Sequence, residues 1–231
     1  MFLDLTSVVL LTFCVIHLWS HKFHPFIYKS ELIATSFSGG MAIASVFLQL
    51  LPELEKSHQL LGVSVHFICL LGFLLFYGMQ RLVFKTKDAN FHHDYIFYIE
   101  IAFYCLYNFL LIYAIPESLE QDFSFVFLYL IAMCFHLLHS NYTFLKKYPQ
   151  KFKSLGRYLV VASVVAGFTI DLLAESTNEF IADFLIAALS GSIMFNVFDE
   201  ELPSPKNSSL RWFIAGIISY LFLLTGSLTI T

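Results

Sequence analysis

The chain has 231 residues, of which 58% are hydrophobic and only 13% charged, with a mean hydropathy of +0.74. A soluble domain carries about 25% charged residues, so this composition excludes an ordinary water-facing exterior. The formal net charge is −4 and no large basic block is present, which argues against a nucleic-acid partner.

Apolar runs near twenty residues long recur along the chain, enough to cross about 30 Å of hydrocarbon as helix. Eight spans are predicted, over 2–20, 32–51, 59–83, 95–115, 123–142, 157–174, 181–199 and 210–228. Period-2 alternation is missing, which argues against a β-barrel. The opening MFLDLTS lacks a positive n-region, so the first run is expected to be a retained span and not a cleaved signal. Cys14, Cys69, Cys105 and Cys134 lie singly in apolar runs and read as small buried side chains, not as disulfides or a zinc ribbon. The expected fold is all-α, a polytopic membrane protein forming one transmembrane domain over 1–231, with no separate soluble domain.

Lysine and arginine set the expected orientation. The loops after the first, third, fifth and seventh spans hold Lys22, Lys29, Arg81, Lys85, Lys87, Lys146, Lys147, Lys151, Lys153, Arg157, Lys206 and Arg211. The opposite loops hold Lys56 alone and carry acids instead: Glu53, Glu55, Glu117, Glu120, Asp122, Glu175 and Glu179. Both termini are therefore expected outside, with four basic loops in the cytoplasm and the cell membrane as the location.

The second span reads FSGGMAIASVFLQLLPE and the seventh ends LSGSIMFNVFDEELP. Each starts on small residues, runs through apolar ones and closes on Leu-Pro beside acids. The two spans point in opposite directions, and Gly/Pro-marked segments in oppositely oriented halves are the trace of an inverted repeat. The alternative is ordinary helix packing through small residues.

In these motifs, in the eight spans, in the outside termini and in a histidine-bearing loop after the third span (His92, His93), the chain resembles the ZIP (Zrt-/Irt-like) divalent-metal transporters. The resemblance implies three-helix inverted repeats around a central fourth and fifth helix that carry the metal. The family's pattern on the fourth span is kept here only as Asn108, in YNFLLI, and on the fifth only as His136, in HLLHS. The bridging carboxylates are missing, so a binuclear glutamate-bridged site is not expected.

Site candidates follow from residue type. His136 and His139 sit three apart on one helix face and could supply neutral imidazole nitrogen to Zn²⁺ at about 2.0–2.1 Å; the alternative is hydrogen bonding between helices. Asn108 or Glu100 could add oxygen. An intramembrane carboxylate is a functional candidate by default, set here against snorkelling of Glu100 to the interface. Asp171, Asp199, Glu200, Glu201 and Glu53 read as interfacial solvation or as acids that concentrate cations. His17 and His66 read as packing residues, and His92-His93-Asp94 as a weak metal-capture tract. The triplets Asn141-Tyr142-Thr143 and Asn207-Ser208-Ser209 match a glycosylation acceptor but fall on the cytoplasmic side.

The expected function is a ZIP-like permease moving a divalent cation, zinc foremost, by alternating access, with no tightly bound cofactor and no enzymatic role. No nucleotide-binding GxxxxGK[ST] loop is present, so ion gradients would drive any active transport. Expected partners are the metal ion, the lipid bilayer and, as an option, a second copy in a homodimer. The alternatives are a degenerate relative that carries another solute or serves as a membrane partner and, last, an intramembrane zinc hydrolase.

Overall fold

The computed structural model describes residues 2–52, 54–55, 62–88, 93–113, 123–173, 179–202 and 208–228. Among them every regular element is helical and no strand occurs. The long helices are α1 (Phe2–Ile27), α2 (Glu31–Ser45), α3 (Ser64–Asp88), α4 (His93–Tyr113), α5 (Phe123–Lys147), α6 (Arg157–Leu173), α7 (Glu179–Asn196) and α8 (Leu210–Leu228). Each of them overlaps one of the predicted apolar runs. Two π-helical turns, Val46–Leu50 and Val197–Glu201, continue α2 and α7, and a third, Phe152–Gly156, leads into α6.

Among the described residues five helical stretches are long and apolar enough to cross a membrane: Thr6–Pro25, Glu31–Leu50, Ser64–Lys85, Tyr95–Tyr113 and Pro149–Leu173. A shorter apolar helix covers Leu210–Gly226. Large apolar side chains stand outward along these helices, with Phe222 at 77% exposure and Leu11, Phe67 and Leu70 also exposed. So much outward apolar surface is an aggregation hazard in water and an ordinary lipid-facing surface in a bilayer. The protein is a multi-pass helical membrane protein.

Lipid tails are as apolar as leucine, so such helices associate through close packing at small residues and through interhelical hydrogen bonds. Here α3 pairs with α7, α2 with α8 and α4 with α6, while α1 lies against α5 and α6. Glycines permit the closest approaches. A Cβ on Gly40 would lie 2.1 Å from the Phe213 carbonyl oxygen of α8, and one on Gly216 would lie 2.2 Å from that of Phe37 on α2. Between α3 and α7 the same happens at Gly72, 2.0 Å from Ala188 O, and at Gly191, 1.8 Å from Cys69 O. The main core is shared by Phe13 and Ile16 of α1, Phe97, Ile101 and Tyr107 of α4, Leu137 of α5, and Val160 and Val164 of α6.

Three helices run five or more residues past their predicted spans. α1 reaches Ile27, α3 reaches Asp88 and α5 reaches Lys147. All three extensions lie at the lysine-rich end, where long cationic side chains keep their heads polar while their stems cover the helix.

Candidate functional site

Buried polar side chains collect where α1, α4 and α5 meet. On α4 the spacing of Glu100, Tyr104, Tyr107 and Asn108 places them along one side of the helix, and on α5 that of His136, Ser140, Thr143 and Lys147 does the same. His17 of α1, fully buried, joins the two. Its Nε2 is 2.9 Å from Asn108 Oδ1 and its Nδ1 is 3.1 Å from Asn141 Oδ1. Tyr104 donates its hydroxyl to the same Asn141 oxygen at 3.2 Å.

Asn108 is oriented by its second contact, in which Nδ2 donates to the Tyr104 carbonyl at 2.8 Å. A neutral imidazole has one N–H and one lone pair, so with Asn108 fixed the N–H of His17 belongs on Nε2. Asn141 is then the adjustable member. Its Nδ2 is buried without a hydrogen-bond partner among the described residues, and turning the carboxamide over would let Nδ2 donate to the Nδ1 lone pair.

His136 is buried beside this cluster, with its Nε2 2.7 Å from the Tyr107 hydroxyl and the two rings edge-to-face at 5.6 Å. His139 is also buried, its ring centroid 6.3 Å from that of Tyr142. Glu100 is 9% exposed and is bound by Lys147, which reaches back from the last turn of α5. The phenol of Tyr148, just beyond that helix, is pushed well above its ordinary pKa by burial first and by the Glu100 charge second.

The cluster borders a cavity of about 430 Å³ lined by residues of α3, α4, α5 and α7, among them Phe76, Arg81, Glu100, Tyr104, Lys147 and Asn196. Its polar members belong to the lysine- and arginine-bearing ends of the helices. Beside it Gln80 of α3 bonds Asp199 of the α7 π turn.

Thus the four candidate site residues lie within α4 and α5, but each has its own surroundings. Asn108 is held by His17, His136 by Tyr107, and Glu100 by Lys147. Among the described residues no three His, Cys, Asp or Glu side chains form a group that could hold a metal ion. The centre is built from imidazole, amide and phenol groups, with one ion pair at its rim. His17 is the packing histidine expected of it. His66 is not; it is exposed, with Nε2 3.9 Å from Glu55, because it lies on the second residue past the start of α3. Asn141, the first glycosylation triplet, is fully buried. The side chains of Glu53, His92, His93, Asp94, Glu200, Glu201 and Asn207 fall outside the described residues.

Sequence reasoning missed Asn141, Tyr104, Tyr107 and Lys147 as partners. The signal for Lys147 was available: extending the fifth span by one turn puts it on the His136–Ser140–Thr143 face. Comparison with known proteins found no matching family model, no matching curated protein and no matching solved structure.

Proposed function

We propose that this protein is a ZIP-like permease of eight spans, moving a divalent cation, zinc foremost, by alternating access of two inverted three-helix repeats, α1–α3 and α6–α8, around α4 and α5. The observation that carries the reading is the matched pairing of the two halves. Exchanging α1 with α6, α2 with α7, α3 with α8 and α4 with α5 turns the α2–α8 pair into α7–α3, and α1–α5 into α6–α4, all of which are in contact.

The match extends to single residues. Gly40 against Phe213 has its equivalent in Gly191 against Cys69, and Gly216 against Phe37 in Gly72 against Ala188. Both second repeat helices break into a π turn at the same place, and Val46-Phe47…Leu51-Pro52 recurs at the same spacing as Val197-Phe198…Leu202-Pro203. Ordinary small-residue packing does not require this register. π turns often mark functional sites, and inverted repeats are a common build of secondary transporters.

In this reading His136 and His139 offer imidazole nitrogen, Asn108 and Glu100 offer oxygen, and the inner cavity is the side from which the cargo leaves. The lysine and arginine bias supports placing both termini outside. For His136 to bind a metal through Nε2, Tyr107 must release that lone pair. For Glu100 to assist, Lys147 must withdraw.

Those two occupied partners favour a second reading, a ZIP-shaped membrane protein without metal transport. Uptake of radioactive zinc into cells lacking their own zinc importers separates the two. Uptake by wild type that is lost in His136→Ala/His139→Ala at equal membrane abundance is the expected result. No uptake of zinc, iron or manganese by well-expressed wild type overturns the permease and leaves the second reading.

A further inference from the structure

The cavity lies toward the lysine- and arginine-bearing ends of the helices, and the repeat gives the matching place toward the other ends. Its walls include Phe76 of α3 and Asn196 at the end of α7. The equivalents of these residues on the paired helices are Tyr220 of α8 and Ser45 at the end of α2. There Tyr220 is fully buried and packs in one cluster with Met41 and Ala44 of α2 and Ala132 of α5, Ser45 is buried, and the Tyr220 hydroxyl donates to Gln49 Oε1 at 2.6 Å. The other end of the same carboxamide is unsatisfied. Gln49 Nε2 is buried and without a hydrogen-bond partner among the described residues. A buried, unpaired amide is destabilising, and a packed dead end would gain nothing by keeping one.

We infer that the Tyr220–Gln49 hydrogen bond is the outer gate of the permease, anchoring the Tyr220 ring of α8 in the buried cluster it shares with Ala132 of α5 while the cavity among α3, α4 and α5 is open. This rests on the repeat and on the permease reading above. The inner pair has a bond of its own, from Gln80 of α3 to Asp199 of the α7 π turn, beside the open cavity; what the inner side lacks among the described residues is an anchored ring, since Phe76, at the place of Tyr220, has no hydroxyl to give. Gln49 lies in the π turn of α2, Val46–Leu50, whose i→i+5 bonds can exchange for the α-helical i→i+4 pattern, so the latch sits on an irregular turn of a kind common at functional sites. When the gate opens, the Gln49 carboxamide and the Ser45 hydroxyl line the outer recess, and Nε2 gains water. An amide oxygen and a hydroxyl are ligands a partly hydrated cation accepts.

The test is accessibility in a chain whose four native cysteines are replaced. Ser45→Cys reports the outer recess and Asn196→Cys the inner cavity, each labelled with a membrane-impermeant maleimide, on whole cells or on inside-out vesicles. Tyr220→Phe removes only the donor and keeps the ring. It should raise outside labelling of the Ser45→Cys reporter and lower inside labelling of the Asn196→Cys reporter, each roughly threefold to tenfold, the range an intramembrane hydrogen bond commands. Gln49→Leu should act in the same direction. Unchanged labelling at both reporters in both variants overturns the gate, even where wild type takes up zinc. A shift in labelling without uptake of any tested metal supports the gate and removes the metal as cargo.

Discussion

The Cα of Gly191 on α7 lies against the Cys69 carbonyl of α3 so closely that an added Cβ would be 1.8 Å from the oxygen. Gly40 makes the equivalent approach to Phe213 on α8. Both contacts are to backbone, which cannot swing aside as a flexible side chain can. Gly191→Ala and Gly40→Ala are therefore expected to separate their helix pairs, at a cost of about 1–3 kcal/mol or more, and to lower the thermal midpoint in detergent. Gly78→Ala, on α3 but facing open space, should leave the midpoint unchanged or raise it, because alanine is the better helix former. Equal loss from all three substitutions would sink the packing account.

Those glycines also show what was legible in the sequence and what was not. The Ser-Gly pairs marked the second and seventh spans because a helix that packs backbone to backbone must give up side chains there. Span positions were legible for the same kind of reason, since hydrocarbon thickness sets the length of every apolar run. Pairing between helices was not. Nothing in one span's composition says that His17, a lone histidine on α1, meets Asn108 on α4 and Asn141 on α5, because that depends on how three helices rotate against one another. Lys147 was hidden by a boundary, having been counted as a loop charge when α5 carries it one further turn beneath Glu100.

Two neighbouring lysines should behave differently. Lys146 pairs with Glu31 at 2.5 Å where both side chains are more than half exposed, so its removal should cost no more than about 1 kcal/mol. Its hydrogen bond to Glu31 raises its pKa above the ordinary lysine value. The sign follows: on the lysine side this pair contributes fully at neutral pH and is lost only as pH climbs past about 10.5. Lys147 pairs with a Glu100 side chain that is only 10% exposed. Lys147→Ala strands a buried carboxylate and should cost more, about 1–3 kcal/mol, while the double change Glu100→Gln/Lys147→Gln should recover part of the loss. Thermal melts of wild type, Lys146→Ala, Lys147→Ala and the double variant in one detergent decide this; a double variant no better than Lys147→Ala would refute the pairing.

Asn141 is expected to be a structural acceptor and not a glycan site. Its Oδ1 takes the Tyr104 hydroxyl and faces His17 Nδ1 in a fully buried position, out of reach of a transferase in the folded state. Mass spectrometry of the protein from a glycosylating host should show position 141 unmodified. Asn141→Ala should lower stability by about 1–3 kcal/mol, since it leaves the buried Tyr104 hydroxyl and His17 Nδ1 without their partner, and Asn141→Asp should cost at least as much, because it sets a buried carboxylate against the Nδ1 lone pair. An Asn141→Ala variant as stable as wild type would mean that the network contributes little.

The sharpest separation between a metal ligand and a packing histidine lies in Tyr107. Its hydroxyl is 2.7 Å from His136 Nε2, the nitrogen a cation would have to take. If His136 binds the cargo, the phenol competes with it, and Tyr107→Phe removes the competitor. Half-saturation for zinc uptake should then fall by about threefold, the worth of an average intramembrane hydrogen bond, whereas His136→Ala abolishes uptake. If His136 only packs, Tyr107→Phe and His136→Ala should each cost a similar, small amount of stability and neither should change the half-saturation of whatever uptake exists. Concentration-dependent uptake measured beside a thermal melt reads both quantities on the same variants. A tighter half-saturation with a slightly lower melting point is the pattern that assigns His136 to the cargo.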